Sequence, residues 1–190
     1  MPKQLDDVEE LISCLEFRSN LGDPDANDPT LVDVHPADGD LVGTTTYDID
    51  LLFEQVAAEA LKRYLRGRGH PDHHILREML GAATLERDHE DTLLRARLFL
   101  RSMTGDDLIH SENLKIQVFF SHRGHRVLSE PTQWRSLLVP VPIEVHACFA
   151  HCTITVDEAL RNLLNEGPPF SQFEAWLHGM FLDPTEYLNM

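Results

Sequence analysis

The chain has 190 residues, of which 42% are hydrophobic and 25% charged, with a formal net charge of −16. A chain of this size buries a sizeable core without staples, no apolar run approaches the roughly 20 residues needed to span a bilayer, and the acidic, amphipathic start lacks the layout of a secretory signal. An acidic field repels nucleic acid and anionic membranes, and three cysteines, Cys14, Cys148 and Cys152, do not make a disulfide framework; together these features predict a reducing, cytoplasmic home.

The charge is unevenly spread. Residues 1–60 carry 15 acidic and 2 basic side chains, residues 61–140 carry 10 and 13, and residues 141–190 carry 7 and 1. Apolar residues at three- and four-residue spacing predict a first helix from Leu5 to about Phe17, with acids in its first turn. Residues 19–47 are rich in Pro, Gly and Asp and read as a long acidic loop. Asp23, Asp25 and Asn27 start like a calcium loop, but Asp28 stands at the sixth position and Val34 at the twelfth, where Gly and Glu are required. Leu41 to Tyr47 fits a short strand.

A second helix runs from Asp48 or Asp50 to about Leu65 and ends in Lys62, Arg63, Arg66 and Arg68 around Gly67 and Gly69. Basic residues followed by glycine are a helix stop signal, and the same four side chains are the candidate nucleic-acid contact. Pro71 opens a third, short helix to about Ala82, crowded at its start by His70, His73 and His74. Leu85 to Asp91 reads as a charged connector.

From Thr92 to Met103 apolar side chains alternate with arginines, a period of two that predicts a half-buried strand. Lys115 to His122 repeats the pattern, followed by a tight turn, His122 to His125. Ser136 to Val156 is the longest β-rich run, with Pro140 and Pro142 placing a bend or an edge. Two helices close the chain, the second carrying Phe173, Trp176, Leu177, Met180 and Phe181. This aromatic stripe is the candidate partner-binding or self-association surface, unless it docks on the chain's own core.

The densest chemistry lies at His146, Cys148, His151 and Cys152, with His122 and His125 at the neighbouring turn. Zinc takes imidazole nitrogen and thiolate sulfur, and on one strand His146 and Cys148 share a face, about 7 Å apart. His146, Cys148, His122 and His125 are therefore the candidate zinc ligands. No P-loop, GxGxxG, GxSxG or HExxH motif is present.

The fold class expected is α+β, a single domain over 1–190. An antiparallel sheet of about four to six strands, from residues 92–156, is covered by helices from both ends. The function expected is an acidic protein-interaction module without a catalytic motif, an adaptor, accessory subunit or inhibitor of a basic partner, with a protein partner or a second copy and no membrane. Two alternatives stand beside it: a zinc-type domain or hydrolase built on the cluster between 122 and 152, and a nucleic-acid accessory protein acting through 62–68.

Overall fold

The computed structural model describes residues 2–21, 46–111, 113–122, 143–165 and 171–182. Much of the acidic loop, the turn with His125 and the Pro140–Pro142 bend lie outside them. The described residues form an α+β fold with six helices and two small sheets. The elements, in order, are β1 (Lys3–Gln4), α1 (Val8–Ser13), β2 (Leu15–Ser19), α2 (Thr46–Leu65), α3 (His74–Asp88), α4 (Leu94–Thr104), β3 (Leu108–Ile109), β4 (Ile116–Ser121), β5 (Ile143–His146), β6 (His151–Thr155), α5 (Glu158–Asn165) and α6 (Ser171–Leu182).

The main sheet has the order β2-β4-β6-β5. It is mixed where an antiparallel sheet was expected. β2 pairs with β4 and β4 with β6 in parallel, and only β5 runs antiparallel, against β6. β1 and β3 form a separate antiparallel pair. The parallel arrangement places Ser19, Ser121 and Thr155, the last residues of three strands, at one edge of the sheet.

Three sequence expectations change. The alternating stretch 92–103 is helix α4, because Ala96, Phe99, Leu100 and Met103 recur at helical spacing and are all buried. Arg95 falls on that buried side as well, against its polar parity. Gly105 closes the helix in the left-handed region, its N–H bonded to the Arg101 carbonyl. The first helix is short: Asp7 caps it by accepting from the Glu9 N–H, it ends at Cys14, and Leu15 to Ser19 become strand β2. The run Val145 to Val156 breaks into a hairpin. Ala147–Phe149 make a 3-10 turn, Ala150 adopts φ 46°, and His146 pairs with His151 across the two strands.

α2, β4, α5 and α6 form close to where the sequence predicts them. α3 continues past Ala82 to Asp88 across a kink at Gly81, whose φ is 74°. One core joins Leu11, Leu61, Phe99, Leu100, Val118, Ile154, Leu160 and Phe173, so the helices pack on the sheet through side chains from both ends of the chain. Gly67 is required where the α2 C-terminus meets α4, since a Cβ there would sit 2.1 Å from Arg95 Nη1.

Candidate functional site

The parallel strands bring polar side chains together at their C-terminal edge. His122 follows β4 directly. Its backbone N–H donates to Asn20 Oδ1 at 3.0 Å, which ties the ends of β2 and β4. Its Nε2–H donates to Glu54 Oε1 at 2.6 Å, and its Nδ1 lies 3.9 Å from Asp50 Oδ2. Asp50 and Glu54 are four residues apart on α2, so one helical face presents both carboxylates. Ser19 Oγ donates to the same Glu54 oxygen, and Arg161 of α5 pairs with Asp50. Arg161 also lies over the Phe53 ring, its Nε buried without a hydrogen bond.

A histidine oriented by a carboxylate is a general acid–base unit. It is not a Ser–His–acid triad, because Ser19 bonds to the carboxylate and not to the imidazole. The sequence pattern points to His122 as a zinc ligand and to Asp50 as a helix cap, and, apart from the spacing of Asp50 and Glu54, nothing in it marks Glu54, Ser19 or Arg161.

Among the described residues, the zinc candidates His122, His146 and Cys148 do not converge. Residues 147–150 form the β5–β6 turn, next to the start of β4, whereas His122 is at the end of β4. Five residues of strand separate these ends, about 16 Å. The His146 ring stacks on His151 at 5.7 Å, and Cys148 is exposed on the turn. Among the described residues no group of three or more His, Cys, Asp or Glu is placed to hold a metal ion; His125 lies outside them. Cys152 is buried against the core, and burial pushes its thiol up to about 12.

The basic stretch is internally neutralised. Lys62 pairs with Glu59, Arg63 with Glu174, Arg66 with Glu9 and Arg68 with Glu90. The aromatic stripe of α6 is core: Phe173, Trp176, Leu177 and Phe181 are buried and Met180 is half-buried against them. A partner surface made of these side chains would require opening the fold. Among the described residues, the large apolar side chains that face outward are Ile49, Leu51, Leu52, Met79 and, most exposed at 81%, Phe149 at the β5–β6 turn.

A second polar network lies beneath α3. Tyr64 of α2 bonds to His178 Nδ1 of α6 at 2.9 Å, His178 Nε2 to His70 Nδ1 at 2.7 Å, and His70 Nε2 to Asp88 Oδ2 at 3.2 Å. Burial, with His70 and Arg95 beside it, pushes His178 down to about 3. Burial raises the Tyr64 hydroxyl far above its ordinary value. Asp88 is held well below the usual carboxylate range by its hydrogen bond from Arg87 and, after that, by His70. Arg95 completes the surroundings, donating to the Gly69 carbonyl and pairing with Glu174 at 3.0 Å.

No protein-family model, no curated protein and no solved structure matches this chain. No helix among the described residues is long and apolar enough to cross a membrane.

Proposed function

We propose that the chain is a protein-interaction module that offers an acidic surface, with Phe149 as apolar anchor, to a basic partner protein. One observation carries the reading. Every Lys and Arg among the described residues, Arg101 apart, is tied to an acid of the chain itself. Among the described residues the positive charge is thus paired within the chain, and the acids left without a cation are what this reading offers to a partner, in a chain whose net charge is −16. Charge of one sign steers a complementary protein, while an aromatic side chain supplies the buried contact that charge alone does not.

The test is capture of a basic protein from native extract, followed by reconstitution of the purified pair. The complex is expected to weaken as salt rises from about 50 to about 500 mM, as the screening length shrinks. Phe149→Ser is expected to weaken it at least tenfold. A chain that stays a bare monomer by native mass spectrometry and retains no partner at low salt overturns the reading.

A second reading rests on His122 held by Glu54 at the ends of the parallel strands: acid–base catalysis on a ligand docked there. It is tested by screening ester, amide and phosphoester substrates. Turnover lost in both His122→Gln and Glu54→Gln, at unchanged melting temperature, supports it; turnover that survives both removes it.

A further inference from the structure

We propose that the Asp88–His70–His178–Tyr64 chain is an acid-sensitive latch: it holds α3 and the loop before it against α2 and α6, and uptake of a proton by the histidine pair releases them. This goes beyond partner binding and does not depend on it.

The hydrogen positions follow from the donors and acceptors. Asp88 is ionised and can only accept, so His70 Nε2 must carry a hydrogen. In a neutral ring His70 Nδ1 is then an acceptor, and its partner 2.7 Å away, His178 Nε2, must donate. His178 Nδ1 is left to accept from the Tyr64 hydroxyl at 2.9 Å. All four groups are satisfied in this arrangement, and the carboxylate at one end sets the direction of every bond.

One added proton breaks this order. If His178 takes it, the Tyr64 O–H faces an N–H. If His70 takes it, two N–H groups oppose each other at 2.7 Å. The second conflict resolves only when His178 changes tautomer and Tyr64 reverses its hydroxyl, which leaves the O–H without this acceptor in a fully buried position. Leaving a buried donor unmade is costly. The charged neighbours do not ease it. Arg95 from α4 opposes a second positive charge at His178, with its guanidinium already paired to Glu174 of α6. Arg87 from α3 shares Asp88 with His70.

What the latch holds is lightly attached otherwise. Leu76 is the one fully buried side chain of α3. Beyond it, His73 bonds to Gln172, the Gly69 N–H donates to the Asp91 carbonyl, and Arg95 of α4 donates to the Gly69 and Arg68 carbonyls of the loop. Met79 is largely exposed and Gly81 kinks the helix. Burial, the dominant cause, also holds His73 below its ordinary value. The Gln172 bond itself favours the charged ring, so acid acts on the tie between the α3 region and α6 through the His70–His178 bond.

The sign follows. Where the unfolded or released state binds a proton and the latched state does not, the latched state is lost as pH falls below about 6.5, by up to about tenfold per pH unit for each proton. The experiment is hydrogen exchange of the full chain by mass spectrometry at about pH 7.5 and about pH 5.5, corrected for intrinsic rates. Amides of residues 74–88 are expected to lose protection by about tenfold while β4 and β6 keep theirs. Nitrogen-15 spectra of wild type at the higher pH are expected to show both His70 and His178 as neutral Nε2–H tautomers. His178→Gln, which can still accept and donate but does not titrate, is expected to flatten the pH response. An Nδ1–H tautomer at His178, protection of 74–88 indifferent to pH, or loss of protection everywhere at once overturns the latch. The wild-type spectra decide the matter even where the variant fails to fold.

Discussion

The protein holds two polar networks, each with histidine and carboxylate, and they are built in opposite ways. At the strand ends, His122 sits beside Asp50 and Glu54, and Arg161 balances the carboxylates with a full charge. Beneath α3, Tyr64, His178 and His70 are hydrogen-bonded in series, with the Asp88 carboxylate at the end of the line. The first lies at a rim where Arg161 and Asp50 still reach water. The second encloses two groups, Tyr64 and His178, with no exposed surface. Where water is excluded, dipoles in sequence satisfy polar groups at lower cost than charges do.

Changes within the buried region should therefore cost more than matched changes at the rim. The largest effect is expected from Glu174→Ala, which leaves Arg95 with no carboxylate partner in a buried setting; the loss is about 3 kcal/mol by urea denaturation. Asp50→Ala, which removes the more accessible Arg161 pair, should cost about 1 kcal/mol in the same assay. Equal losses at the two sites would erase the distinction.

The pH response sharpens it. His178 is pushed down to about 3 when folded and titrates near its ordinary value, about 6.5, when unfolded. The unfolded state thus binds the extra proton, and stability falls as pH drops from about 6.5 toward the folded value. Between pH 7.5 and 5 this amounts to about 2 kcal/mol, read as the change in denaturation midpoint. Tyr64→Phe keeps the ring and removes the donor to His178, at an expected cost of about 1.5 kcal/mol. The smallest change is expected from Phe149→Ser. With its side chain in solvent, folding stability should stay within about 0.5 kcal/mol of wild type while the complex weakens.

The sequence made the helices α2, α5 and α6 legible because their apolar spacing, caps and stop signals agree. It failed at α4 because Leu94 to Arg101 fits two periods at once. The alternation of leucine and arginine hid the helical set Ala96, Phe99, Leu100 and Met103, and nothing local showed that Arg95 is buried. Leu15 and Phe17 were absorbed into the first helix for the same reason. The β5–β6 hairpin was hidden because its turn, Ala147 to Ala150, carries no Gly, Pro or Asn. Both networks were beyond local reading: His122 meets Glu54 across 68 positions, and His70 meets His178 across 108. Sequence spacing brings ligands together only along one element, and these contacts are made by the tertiary fold.

The parallel pairing of β2 with β4 also bears on how the chain reaches this structure. Leu15 aligns with Ile116, about a hundred residues later. During synthesis β2 is the first strand of the main sheet to emerge, and it waits without its sheet partner while α2, α3 and α4 are made. β4 is the strand both β2 and β6 require, so the sheet cannot begin to assemble before residue 121 is available. Closing so long a loop is slow, and topologies dominated by such distant pairings fold on the millisecond-to-second scale. Stopped-flow refolding should accordingly show helix formation well ahead of the pairing of β2 with β4, so that a strand made early is secured late.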